Sequence, residues 1–217
     1  MIEDIRNSHN LKIYLEQLEE IKIRLTYICA YSNESRDRFV IESHALQVRK
    51  LIELVSFSLM AIHKTKYKDF RSGAGKDFKD DWNGRDIITN IISLNPDMFF
   101  KPSEKGFSIQ SDGTKQIQFK PERQCYTLKQ LAKLYKRCGG VLHVENPWNK
   151  STKVEQFHTD LPSIISKLKN TLQNHMVLVN HREQSESTAI VFSLNEPNIN
   201  PTYALAQAHG NFTFASA

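Results

Sequence analysis

The chain has 217 residues, 40% hydrophobic and 24% charged, with a formal net charge of +5 and a pI near 9.0. Those proportions exclude a disordered polyelectrolyte and fit one substantial core or two small domains. The three cysteines, Cys29, Cys125 and Cys138, share no C-x-x-C spacing, which excludes a disulfide scaffold or zinc knuckle and indicates a reducing compartment.

The basic balance favours acidic partners such as RNA or nucleotides, although lysines scattered over solvated faces account for the same charge. The apolar core of Val55 to Ile62 is far shorter than the ~20 residues of a membrane span. The amino terminus is acidic and polar where a signal peptide would be basic and then apolar. A cytoplasmic protein with no membrane association is expected.

Leu11 to Tyr31 carries Leu11, Tyr14, Leu15, Leu18, Ile21, Leu25 and Ile28 at helical spacing, with Glu16, Glu19, Glu20 and Lys22 on the other side. Ser32 to Ser35 supplies turn and capping residues, and Phe39 to about Thr65 reads as a longer, central helix whose apolar stripe is too broad for one surface contact. A short turn between the two predicts an antiparallel helical hairpin. Within the second helix Glu42, Arg49 and Glu53 share a face, and Arg49 and Glu53 form an i, i+4 pair. The trio fits a surface salt bridge, a buried network holding helices in register, or part of a site.

Lys66 to Trp82 is rich in Lys, Asp and Gly; its run Arg71 to Lys76 faintly echoes a phosphate loop without the full G-x-x-x-x-G-K-[ST] pattern, so a flexible basic connection is expected there, with Asp80 and Asp81 solvated. Asn83 to Leu94 predicts a third helix ending before Asn95-Pro96. Phe107 to Gln110 and Gln116 to Phe119, separated by a segment containing Asp112-Gly113, predict a β-hairpin inserted between helices. Thr127 to Arg137 predicts a helix with Thr127 as cap and Gly139-Gly140 as stop. After a polar loop from Asn149 to Phe157, Leu161 to Leu172 predicts a helix with Pro162 in its first turn. His175 to His181 and Thr188 to Leu194 form a C-terminal antiparallel hairpin, to which Tyr203 to Phe214 could add a strand. The expected fold class is α+β and mainly α-helical. Residues 1–174 form a helical part, and 175–217 a β extension packed on it within one structural domain.

Tyr135 to Trp148 concentrates an arginine, a histidine, a glutamate, an asparagine and two aromatics around the glycine pair. Arg137 and His143 would lie about 120° apart on an ideal helix, so their convergence depends on a bend at Gly139-Gly140. Imidazole suits proton transfer near neutral pH, and a guanidinium can hold a phosphate and stabilise charge developing on it. Together they would suit metal-independent RNA cleavage, in which the 2′-hydroxyl attacks the adjacent phosphorus. Tyr135, Glu145 and Asn146 add hydrogen-bonding groups for a substrate, with Arg49 as a further cation. A histidine that merely helps to end a helix is the alternative for His143. No second His or carboxylate lies at i+3 or i+4 from it, so no metal is expected. Cys138 beside the glycines reads as a small buried packing residue. Arg38 and His44 repeat the Arg-to-His spacing, with mainly helical surface around them.

The R-x5-H spacing of Arg137 and His143, together with the long helical hairpin upstream, resembles the R-x(4–6)-H motif of the HEPN superfamily, the helical nucleotide-binding and ribonuclease modules of toxin–antitoxin and phage-defence systems. The chain departs from the usual form in placing the glycine pair inside the motif and in having no polar residue directly after Arg137. The resemblance implies a metal-independent endoribonuclease or toxin without cofactor, with Arg137 and His143 as catalytic residues. It also implies a homodimer whose two motifs make one site, with an antitoxin or defence-complex protein as partner. A non-catalytic module of the same fold, binding RNA, a nucleotide or a partner protein, is the alternative. The pattern of Trp82, Asn95-Pro96, Tyr135, Cys138-Gly139 and His143 through Asn146-Pro147 is also similar to a set of bacterial proteins of uncharacterised activity, and brings no function with it.

Overall fold

The computed structural model describes residues 8–31, 37–95, 98–105, 108–109, 111, 115–144, 147–148, 152–180 and 186–209. It is a mainly α-helical α+β fold. The described helices are α1 (His9–Tyr31), α2 (Arg38–Ile62), α3 (Lys64–Gly73), α4 (Gly84–Leu94), α5 (Leu128–Leu142) and α6 (Lys153–Leu172). Helix α2 is the centre of the packing, touching α1, α4, α5 and α6, which explains the breadth of its apolar stripe: Ile41, Ala45, Val48, Leu51, Ile52, Val55 and Leu59 are all buried. Asp37 caps it by accepting from the Phe39 amide at 2.8 Å. It ends at His63, and the chain turns directly into α3.

The strands are β1 (Lys101–Pro102), β2 (Ser108–Ile109), β3 (Lys115–Gln116), β4 (Asn174–Asn180), β5 (Glu186–Ser193) and β6 (Thr202–His209). Four form an antiparallel sheet in the order β1-β4-β5-β6, with Met176 opposite Val191 and Ile190 opposite Leu205; β2 and β3 make a separate pair. Val177, Ile190, Phe192 and Leu194 enter the same buried core as the helices, so the C-terminal strands close one face of the helical body. The seam is aromatic. The Tyr14 ring on α1 packs tilted against Phe192, 4.4 Å between centroids, and its hydroxyl bonds to His175 Nε2 at 2.8 Å, while His175 Nδ1 bonds to the Leu172 carbonyl at 2.9 Å. Both imidazole nitrogens are satisfied inside the core, and burial lowers the His175 pKa to about 4.

Three local expectations change. The segment expected as a flexible basic connection begins as α3, whose Tyr67 is buried and donates to Asp81 Oδ2 at 2.8 Å, with Arg71 Nη2 2.5 Å from Asp81 Oδ1. Asp81 is therefore a tied-down carboxylate, and the compensating guanidinium is what lets it leave water. Pro162 sits inside α6, because the helix starts at Lys153, eight residues before the expected Leu161. The missing amide costs one helical hydrogen bond, offset by burial of Phe157, Leu161, Ile164 and Ile165 on the same face. Finally, α5 runs unbroken through Gly139 and Gly140 to Leu142. Neither glycine takes a positive φ, the conformation that ends helices, while Cys138 and Val141 continue the buried stripe set by Leu131 and Leu134.

Candidate functional site

Helix α5 is fixed at its start by a reciprocal capping box in which the Thr127 hydroxyl accepts from the Gln130 amide and the Gln130 side chain accepts from the Thr127 amide. From that anchor its two long faces diverge. One carries Tyr135 and Gly139 toward α2; the other carries Arg137 toward α6.

On the α2 side, three polar side chains close into a triangle. Arg49 Nη2 donates to the Tyr135 hydroxyl oxygen at 2.8 Å, that hydroxyl donates to Glu53 Oε1 at 2.8 Å, and Arg49 Nε lies 3.5 Å from the same oxygen. The guanidinium also stands over the Tyr135 ring, 4.3 Å from its centroid. Two glycines make this possible. A Cβ on Gly139 would come within 3.1 Å of Arg49 Nη1, and one on Gly84, at the start of α4, within 3.1 Å of Glu53 Cγ and 3.2 Å of its Cα. Contact of Glu53 with Tyr135 and of Arg49 with Gly139 shows that α2 and α5 run antiparallel here. The Tyr135 ring is buried, whereas the Arg49 and Glu53 side chains keep 27% and 29% of their surface open to solvent. Burial, reinforced by hydrogen bonding to Glu53, holds the Tyr135 hydroxyl above its ordinary pKa, so it stays protonated as the bridge. Trp82, two residues before Gly84, is 73% exposed.

On the α6 side, Arg137 Nη2 donates to Asp160 Oδ2 at 2.7 Å, and its guanidinium lies 5.6 Å from the Phe157 ring centroid. This pair is open to water, 37% and 54% exposed. His143 is the exposed C-cap of α5; its own amide donates to the Gly139 carbonyl at 3.1 Å. With no bend at the glycines, Arg137 and His143 stay on different faces of a continuous helix, about 120° apart by helical geometry.

Of the residues singled out from sequence, Tyr135 and Arg49 are therefore brought together, Arg137 and His143 are not, and Glu145 and Asn146 lie outside the described residues. Glu53 belongs to the site as the carboxylate that orients both partners. Its i, i+4 spacing to Arg49 was the available signal, but the sequence held no sign that Tyr135 completes the group. Glu42, on the same face of α2, pairs with Arg38 at 2.8 Å, and His44 is buried with no helical surface to present. Cys138 is buried, and its thiol is pushed up to about 12 by desolvation, so it is a packing residue and no nucleophile. Among the described residues no three His, Cys, Asp or Glu side chains gather as a metal site, and no helix is long and apolar enough to cross a membrane. No protein-family model, no curated protein and no solved structure matches the chain.

Proposed function

We propose that the protein is a HEPN-like module that binds a phosphate-bearing ligand, RNA or a nucleotide, at the α2–α5 cluster. The observation that carries this reading is the partly exposed Arg49 side chain, its guanidinium pre-oriented by Glu53 and Tyr135 and lying against Gly139, where a Cβ would crowd Nη1. A guanidinium so held loses little freedom when it takes a phosphate oxygen, and its planar fork suits that geometry. The exposed indole of Trp82, two residues before the Gly84 that packs on Glu53, supports the reading as a ring on which a base would stack. The basic net charge acts in the same direction.

Anisotropy titration of a labelled single-stranded RNA in EDTA tests it. Binding should weaken steeply between about 50 and about 200 mM salt. Arg49→Gln should cost roughly tenfold, the loss of one charge-assisted hydrogen bond. Absence of binding, or binding indifferent to Arg49→Gln and Trp82→Ala, contradicts the reading.

Endonucleolytic or toxin activity is the second reading, favoured by the solvent exposure of both Arg137 and His143 at positions that two chains could share. In a homodimer of the kind the HEPN resemblance implies, one chain's imidazole would move the proton while the other's guanidinium, freed from Asp160, would steady the phosphate. Cleavage of the same RNA in EDTA, lost in both Arg137→Ala and His143→Ala, is the expected result for that activity; intact RNA at high protein concentration leaves the binding module.

A further inference from the structure

A concave region lies at the start of α5, two turns before Tyr135. It is a cleft of about 490 Å³, within the roughly 300 to 1,000 Å³ range of small-ligand pockets. Its walls come from separate segments of chain: the end of α4 with Ile92, the stretch entering β1 with Phe99, the strand-like return with Phe119, and the approach to α5 with Tyr126. These walls are held in place by backbone bonds. Lys120 N donates to the Pro102 carbonyl at 2.9 Å, and the Ser103 to Phe119 bridge ties the return to the segment following β1. The Tyr126 amide is tied to the Thr171 hydroxyl on α6 at 2.8 Å.

The lining has two chemical characters. Half-buried rings form the body, with Phe99 stacked on Phe100 at 5.0 Å. Three lysines also line the space, Lys101, Lys120 and Lys129, against the single carboxylate of Glu122, and the Lys120 ammonium donates to Asn170 Oδ1 at 3.4 Å. Lys167 adds positive charge behind the Tyr126 ring, 5.8 Å from its centroid. An apolar occupant alone would make no use of Lys120 and Lys129, and a bare inorganic anion would leave the aromatic walls uncovered. Cys125 lines the cleft as well, but its thiol is buried and burial pushes its pKa up, so it offers a wall and no reactive thiolate.

We infer that this cleft binds a small aromatic anion, a flat ring system carrying one carboxylate or phosphate, with the ring against Phe99, Phe119 and Tyr126 and the anionic group on Lys120 and Lys129. The inference is independent of the α2–α5 cluster, since none of its residues belongs to that triangle.

Calorimetric titration of the full chain with 1-naphthyl phosphate, 1-naphthoate, 1-naphthol and inorganic phosphate tests it. At least one naphthyl anion should bind with one site per chain, about tenfold or more tighter than neutral 1-naphthol, as expected for one charge-assisted hydrogen bond. Inorganic phosphate should give no saturable heat. The two anions report which acidic group the lysines prefer. The double variant Lys120→Gln, Lys129→Gln, both near the surface, should keep its thermal melt and its 1-naphthol affinity while losing the anion's advantage. Failure of both anions to bind, equal binding of anion and 1-naphthol, or an unchanged anion affinity in a folded double variant overturns the inference.

Discussion

Two of the polar clusters built into this fold differ in charge and in exposure to water. The Tyr14–His175 pair lies sealed between α1 and the sheet, uncharged, with each imidazole nitrogen bonded and aromatic rings on several sides. The Arg49–Glu53–Tyr135 triangle, between α2 and α5, is also internally satisfied, but it is charged and more than a quarter of each ionic side chain faces water. A sealed neutral cluster stabilises through what it excludes. A half-open charged one contributes less to stability and keeps hydrogen-bonding capacity for something outside the chain.

The largest effect should come from breaking the sealed cluster. His175→Ala removes a ring packed against Phe100 and Phe192, and orphans the Tyr14 hydroxyl and the Leu172 carbonyl. Urea denaturation should show a loss of about 3 to 5 kcal/mol, with RNA affinity of the folded fraction unchanged. Acid should reach the same cluster without mutation. His175 titrates near 4 in the folded chain against an ordinary 6.5, so the unfolded chain takes up the proton first as pH falls. The stability that the neutral imidazole contributes is complete above about 6.5 and is lost progressively toward about 4, amounting to about 3 kcal/mol for such a shift. His63, bonded to the Met98 carbonyl and lowered to about 4 mainly by burial, adds a loss of the same sign. A denaturation series across that window should show the fall, and His175→Ala should flatten it.

The open cluster should behave in the reverse way. Tyr135→Phe keeps the ring but removes the hydroxyl bridging Arg49 and Glu53. The expected cost is about 1 to 2 kcal/mol, moderated by solvent reaching both charges, with an RNA affinity loss of about tenfold. The smallest effect is predicted for Arg137→Ala. Its ion pair with Asp160 is a surface one, so stability should move by less than about 0.5 kcal/mol in the same denaturation assay, and RNA binding should not move at all.

The helical hairpin, the third helix and the C-terminal strands were legible because their apolar spacing is local: Leu11 to Ile28 and Ile87 to Ile91 repeat at helical period, and Val177 to Val179 and Ala189 to Val191 are unbroken runs. Pro162 and Gly139-Gly140 misled for a shared reason. Both act as helix breakers only when the backbone has nothing to gain by continuing, and here tertiary burial of Phe157 and Leu161, and of Cys138 and Val141, outweighs the local preference. Tyr67, Arg71 and Asp81 look like parts of a solvated connection in the sequence because their partnership joins α3 to a segment beyond it, which no periodicity records. The candidate site was half legible. Arg49 and Tyr135 each stand out, one for its charge pair and one for its neighbours, but a separation of 86 positions hides the hydrogen bond that joins them.

The central claim is that the Arg49 guanidinium held between α2 and α5, and not the Arg137 guanidinium facing α6, meets the phosphate. Arg49→Gln and Arg137→Gln, titrated side by side with the same labelled RNA at low salt and checked for equal melting behaviour, compare the two directly. The account predicts roughly tenfold weaker binding for Arg49→Gln and wild-type affinity for Arg137→Gln. Equal affinities in the two variants, or a loss confined to Arg137→Gln, would contradict it.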